Sequence, residues 1–348
     1  MSELVLSNGR FGLQLTWQAA SAALVTRLRA FLTPYFAPCA GPDTPPVDLR
    51  IDLLPAEQFG QDWRARCTIP FALRASSAAM FNLNVVLGQD GQAQLAWDPL
   101  RAVGYRIDAG AARVAFYGDD AAFIHLIELV RYYGLLVEQA KGSVVLHSAA
   151  VIARDGEQVH AIVGPKGAGK TTTMLAMIAS GHYRYFSGDK VLLDLQDGVL
   201  RARGWPDYPH VGLGTLRQHP VLAARLGVAF SAPDGSALSD RHKVLIDPAL
   251  LMASIETSAT GSGRLGALIL PSVDTDGDGS QRALGAAEKD GVSADQLFEW
   301  PHEFGTARWH GIEPAGLDLS KQVPPAIAAA LRATPWYHVF GKPLRQAA

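Results

Sequence analysis

The chain has 348 residues, enough for two hydrophobic cores at roughly 100–200 residues per domain. Lysine and arginine number 31 against 33 aspartates and glutamates, so it lacks the basic excess that binding to nucleic acid or an anionic membrane surface demands. Its two cysteines, Cys39 and Cys67, have no CxxC spacing, which argues against a zinc site or a disulfide framework and fits a reducing, cytoplasmic setting.

In chain order, the opening MSELVLSNGRFGLQLTW alternates apolar and polar residues and lacks the basic start and unbroken apolar core of a signal peptide, so export is not expected. Residues 1–117 read as antiparallel strands around one helix: a turn at Asn8-Gly9, an amphipathic helix over 18–33, alternation in VDLRIDLLP at 47–55, and a turn at Asp90-Gly91. APCAGPDTPP at 37–46 is a proline-rich connection. The apolar segment 121–140 carries His125, Glu128, Arg131 and Glu138, costly in lipid, and reads as a buried helix ending at Lys141-Gly142.

Two β-type runs follow, SVVLHSAAVIAR and EQVHAIV, joined at Asp155-Gly156, which predicts a tight two-residue hairpin. Beyond residue 181, YRYF, VLLDL and VLRARG read as short strands, 256–265 as a mobile loop, GALILPSV at 266–273 as a buried strand, and the regions near 292–300 and 324–333 as helices. The expected organisation is mixed α/β: an N-terminal antiparallel α+β domain over 1–120 and a second domain over 121–348.

Between the hairpin and the next strand, Gly164-Pro165-Lys166-Gly167-Ala168-Gly169-Lys170-Thr171 satisfies G-x-x-x-x-G-K-[ST]. Its glycines let successive backbone N–H groups turn inward around phosphate oxygens, and the helix that follows points its positive end at them. Residues 164–172, through Thr172 in the first helical turn, are therefore the expected nucleotide contacts: Lys170 reaching the β- and γ-phosphates, Thr171 holding Mg²⁺ through its hydroxyl. Counting outward from the hairpin tip pairs Arg154 with Glu157 and His147 with Gly164, which sets the imidazole at the mouth of the loop. A histidine simply packed into a strand end is the competing reading. SGDK at 187–190 reads either as a polar turn or as a second contribution to the site.

At VLHSAAV, IVGPKGAGKTT, SGDKVLLD and GWPDYPHVGLGTL, about 143–217, the chain resembles the HPr serine kinase/phosphatase C-terminal family, whose nucleotide core resembles phosphoenolpyruvate carboxykinase. The resemblance implies a P-loop kinase domain with mixed sheets, ATP and Mg²⁺ as cofactors, and an acceptor hydroxyl on a protein, peptide or small molecule. It assigns His147 to the family histidine and Asp189 to the second acid of a tandem Asp-Asp, with Asp189, His147 and Lys170 as the catalytic group and Thr171 and Asp189 as metal ligands. Gly188 stands where the family has its first aspartate, the base, and Lys166 where it often has serine. One carboxylate suffices in principle, because phosphoryl transfer asks mainly for positioning and charge neutralisation, which Lys190 or Lys166 could assist. A nucleotide-binding adaptor that lost catalysis with the first acid is the alternative. Homo-oligomerisation is left open; nucleic acid and membrane are not expected partners.

Three weaker patterns remain. DTDGDGS at 274–280 opens like a calcium loop but has Gly285 where the bidentate glutamate belongs, so it reads as a solvated acidic turn. DRHKV at 240–244 reads as a charged surface turn or as a cluster that closes over phosphate or an acidic substrate, and GWPDYPHVGLGTL, with Asp207 and His210, suits either core or substrate cleft, the resemblance favouring the cleft.

Overall fold

The computed structural model describes residues 1–39, 45–74, 81–258, 260–273 and 278–341. It is a mixed α/β structure of two compact units, Met1–Ser143 with Trp300–Lys321, and Val144–Glu299 with Gln322–Ala348. The acidic stretch 274–277 lies outside the described residues.

In the first unit, β1 (Ser2–Ser7) and β2 (Gly12–Trp17) form a hairpin, closed by the Asn8 side-chain oxygen, which accepts from the Arg10 and Phe11 N–H groups. After β2 the helix α1 (Ala22–Leu32) buries Leu24, Val25, Leu28 and Phe31, and the chain returns through β3 (Ala37–Cys39) to β4 (Leu49–Leu54). This crossover makes β2 and β4 parallel, as a helix between neighbouring strands permits. The helix α2 (Gln61–Arg66) and the meander β5 (Ile69–Arg74), β6 (Leu83–Asp90), β7 (Ala93–Asp98), β8 (Val103–Asp108) and β9 (Arg113–Tyr117) complete a nine-stranded sheet of order β3-β1-β2-β4-β9-β8-β7-β6-β5. The expected antiparallel sheet therefore contains two parallel pairings, β2–β4 and β4–β9, and a second helix.

The apolar helix α3 (Phe123–Ala140) keeps its four polar side chains buried by pairing them within this unit. His125 lies between the Tyr105 hydroxyl at 2.8 Å and Asp98 at 2.9 Å. Glu128 accepts from Arg131 at 2.9 Å and from Arg74, and Glu138 accepts from Asn8 at 2.7 Å and Ser143 at 2.9 Å. A buried charge costs several kcal/mol unless paired in this way. These partners tie α3 to the first unit, so the compact units part after Ser143, whereas the sequence reading divides the chain at 120. Gly142, at φ 83°, ends the helix as the sequence suggests. Among the described residues no helix is long and apolar enough to cross a membrane.

In the second unit, β10 (Val144–Ala153) turns into β11 (Gln158–Val163), the glycine loop follows, and α4 (Lys170–Ala179) runs to Gly181 at φ 79°. Next come β12 (Tyr183–Ser187), β13 (Lys190–Gln196) and β14 (Val199–Gly204), the three short strands expected. β15 (His210–Gly212) leads into α5 (Leu213–Gln218) and α6 (Pro220–Arg225); β16 (Lys243–Leu245) pairs with β15 and precedes α7 (Pro248–Ser254). The long strand β17 (Ser262–Ser272) begins inside the segment expected to be a mobile loop, because its first residues pair with β14.

β18 (Asp278–Ala283), α8 (Ala286–Asp290), α9 (Ala294–Leu297), β19 (Phe298–Glu299), a helix at Pro325–Ala333 and β20 (Trp336–Gly341) finish the unit. The helix expected near 292–300 is only the short α9; the chain then extends because Phe298 and Glu299 pair with Leu146 and Val145 of β10. The sheet runs β11-β10-β13-β14-β17-β20-β18, and β11 also pairs with β17, so five strands close into a ring. Helix α4 packs Met174 and Leu175 on Ala149, Val151 and Ile162 of the ring.

Replacing Glu128 by alanine leaves the buried Arg131 without its carboxylate, and we expect a stability loss of about 3 kcal/mol, the usual size for breaking a buried pair. Chemical denaturation followed by tryptophan fluorescence checks it; a loss below about 1 kcal/mol would show the pair to be solvent-relaxed.

Candidate functional site

Strand β10 sets the site. Its ladder with β11 pairs Ser148 with Val163 and Ile152 with Val159, the register counted from the sequence, so the next position outward sets His147 beside Gly164. The tip differs from the expected two-residue turn: 154–157 form a wider loop in which the Gly156 N–H donates to Ala153 C=O at 2.9 Å with Gly156 at φ 81°. The register survives because the change adds no residue between the paired strands.

The loop itself is shaped by its glycines. Gly164, Gly167 and Gly169 have φ of 145°, 94° and 100°, values that side-chain-bearing residues avoid. A Cβ on Gly169 would also collide with the Val273 side chain. The Ala168 N–H donates to Pro165 C=O at 3.2 Å, and Pro165 has no N–H. Among the described residues, the N–H groups of Lys166, Gly167, Gly169, Lys170, Thr171 and Thr172 have no hydrogen-bond partner. Several of these belong to the first turn of α4, where the helix dipole adds positive potential. Lys170 folds over the loop, Nζ 2.7 Å from Gly164 C=O, and burial pushes its ammonium below the ordinary lysine range, with Asp189 opposing that shift. The Thr171 hydroxyl makes no hydrogen bond among the described residues, whereas the Thr172 hydroxyl pairs with Thr215 at 2.7 Å. Thr172 therefore offers a ligand its amide rather than its side chain.

Opposite the loop, β12 and β13 run antiparallel to the same strand and are joined by a bend at Gly188 and Asp189. Ala150 faces Ser187 and His147 faces Lys190, so Gly188 and Asp189 stand against Ala149 and Ser148 with no residue to spare, and the Ser148 N–H donates to Asp189 C=O at 2.9 Å. The pairing slips only farther along, between Ala150 and Val151, where Phe186 is the extra residue. Buried Ser187 holds the bend: its hydroxyl donates to Lys190 C=O at 2.6 Å and accepts from the Trp205 N–H at 3.2 Å. SGDK thus bends between two strands that keep one register on a shared partner.

Four polar groups close a ring there. Lys190 Nζ lies 2.8 Å from Asp189 Oδ2 and 2.5 Å from Glu299 Oε2; His147 Nδ1 lies 2.7 Å from Glu299 Oε1 and 3.8 Å from Asp189 Oδ1. The His147–Glu299 approach is a close contact without a well-aligned hydrogen bond. Burial alone would raise the Glu299 carboxyl, but His147 and the Lys190 ammonium outweigh it and hold that carboxyl below the usual range. The side chain of Lys190 is only 6% exposed, so it serves as a fixed counter-charge.

His147 and Asp189 thus converge, and Lys170 senses Asp189, Glu299, Lys190 and Lys243 electrostatically. Lys166 points to solvent. Among the described residues no group of three His, Cys, Asp or Glu side chains could hold a metal without other ligands. Glu299 is the residue sequence reasoning missed; a two-residue strand carries no periodicity, and only its pairing with Val145 brings it in. GWPDYPHVGLGTL is chiefly core, not cleft: Trp205, Tyr208, Val211, Leu213 and Leu216 are buried, the last three in one cluster with Met174 and Leu175 of α4, and the Thr215 hydroxyl bonds to Thr172. At Gly188 a Cβ would sit 3.0 Å from the Tyr185 hydroxyl, so any side chain there presses on a buried ring.

Lys190→Met tests the ring. A carboxyl with a depressed folded pKa contributes stability above its unfolded pKa and loses it as pH falls through the folded value. Without Lys190, we expect the protein to lose about 2 kcal/mol at pH 7, the two carboxylates then repelling. The deficit should shrink below about pH 4.5 as they protonate, whereas a pH-independent deficit in denaturant unfolding would refute the ring's charge coupling.

A scan against protein-family models finds no match to this chain, and a search of curated proteins finds none either.

Proposed function

We propose that the chain is an ATP- and Mg²⁺-dependent kinase that transfers the γ-phosphate to a hydroxyl of a protein, peptide or small molecule, built on a nucleotide core of the HPr kinase and phosphoenolpyruvate carboxykinase type. The observation that carries this reading is the set of unpartnered amides at Lys166, Gly167, Gly169, Lys170, Thr171 and Thr172, opening α4 beside a carboxylate–imidazole–ammonium ring.

In this reading the loop amides hold the β- and γ-phosphates and Lys170 neutralises their charge. Thr171 and Asp189 suit Mg²⁺, since the Thr171 hydroxyl has no protein partner among the described residues and the Asp189 side chain is 35% exposed. Bound there with the nucleotide, Mg²⁺ supplies charge neutralisation on the transferred phosphoryl group. His147, 2.7 Å from Glu299 through Nδ1, is the imidazole of the reacting group in this reading. Asp189 orients the acceptor hydroxyl and takes its proton as the new P–O bond forms and the bond to the β-phosphate oxygen breaks. Glu299 keeps a second carboxylate in the site although position 188 is glycine.

The adaptor reading rests on that glycine. The two separate by turnover: purified protein is incubated with Mg-ATP and fractions of host extract, ADP is measured, and phosphorylated species are sought by mass spectrometry. A kinase forms ADP with one fraction and loses at least roughly a hundredfold of that activity in Asp189→Asn, the usual scale for a proton-transfer group. An adaptor retains nucleotide affinity and turns over with none. His147→Ala should slow transfer more than it weakens ATP binding; the reverse would remove His147 from the reacting group.

A further inference from the structure

A cavity of about 450 Å³ opens beside the loop on its other flank. Its floor is Gly164, Pro165 and Gly167; Pro271, Val273, Val292 and Leu297 form apolar walls. Gln296, Ser272 and His338 supply the polar groups, with Ser272 Oγ and His338 Nε2 2.8 Å apart. Among the described residues its lining holds no aspartate, glutamate, lysine or arginine.

Strand order fixes what lies on each side. β11 delivers the loop, with antiparallel β10 on one side and parallel β17 on the other, and β20 continues beyond β17 in the same direction. His147, Asp189 and Glu299 all belong to the β10 side. Ser272 ends β17 and His338 lies in β20, so the cavity sits where the parallel strands β11 and β17 end and the loop leaves. An elongated ligand whose phosphates occupy the amides would present one end to the acidic ring and the other to the cavity.

We infer that this cavity seats the nucleoside half of the bound nucleotide, its heteroaromatic base between Pro271 and the Val292–Leu297 wall and its hydrogen-bonding edge toward Gln296, Ser272 and His338. The inference rests on the nucleotide reading given above and adds to it the end of the ligand that the loop motif cannot read. The volume is in the range of small-molecule sites, and apolar walls with a few placed polar groups are what an uncharged flat ring requires. A second anion would find no cationic side chain there. Burial and the nearby Arg282 push the His338 imidazole below its ordinary range, so at neutral pH it is uncharged and can both donate and accept.

The test compares Mg-ATP with Mg-tripolyphosphate, which has the phosphates and no nucleoside, by calorimetric titration of the wild type and three variants. Val292→Trp fills the cavity, Gln296→Ala trims an exposed polar group at its rim without threatening the fold, and Lys170→Ala disables the loop. Val292→Trp should weaken Mg-ATP roughly tenfold and Gln296→Ala several-fold, both leaving Mg-tripolyphosphate within about twofold, while Lys170→Ala weakens both ligands. If the wild type binds both ligands and neither cavity variant affects Mg-ATP selectively, the nucleoside seat is wrong and the loop reading stands. If the wild type binds neither, the loop reading fails and the seat fails with it.

Discussion

The second unit depends on the backbone pairing of β10. Its first residues hydrogen-bond to β13 and β19, and its later ones to β12 and β11, so its partners change on both flanks near Ser148. On one flank Gly188 and Asp189 bend between β12 and β13; on the other, β11 ends and releases the glycine loop. A strand must satisfy its amides and carbonyls on both edges when buried, and here one partner takes over where another stops. The candidate site occupies that change of partners. His147 is the last residue of β10 before it, Asp189 lies in the bend, and Glu299 arrives on the strand that fills the place of β11.

Within this frame the charges are mutually dependent. Asp189 and Glu299 each reach Lys190, and Glu299 also reaches His147. Two carboxylates placed this close would otherwise share a proton, as paired acids do. His147 and the buried ammonium hold the Glu299 carboxyl below its usual range. The loop beyond contributes no acidic side chain and a run of donors, so the acidic ring and the electropositive cradle stand side by side. In the proposed kinase reading, that juxtaposition sets the acceptor-orienting carboxylate beside the donors that hold phosphate.

Much of this was legible in the sequence where the signal is local. The eight-residue motif, the hairpin register and the three short strands after α4 depend on neighbours within a few residues, and all are present. The charges of α3 also read correctly as those of a buried helix, although their partners Asp98, Tyr105 and Arg74 come from far along the chain. Non-local pairings were illegible. Nothing near Glu299 announces a two-residue strand, and its role comes from Val145, 154 positions earlier by difference of residue number. The parallel β2–β4 pairing likewise follows from a crossover, which alternation alone does not encode. Trp205 and Tyr208 misled because an aromatic side chain among glycines suits a cleft and a core equally; burial alone decides.

The ring of β11, β10, β13, β14 and β17 has a further consequence. Open sheets invite neighbouring chains to add a strand along an unpaired border, and proteins spend lysines and prolines to discourage it. Closing the ladder removes that border from the strands that deliver the loop. The spare donors that remain at the glycine turn follow a curved backbone with left-handed glycines, a poor template for a foreign strand. The same closure thus guards against aggregation.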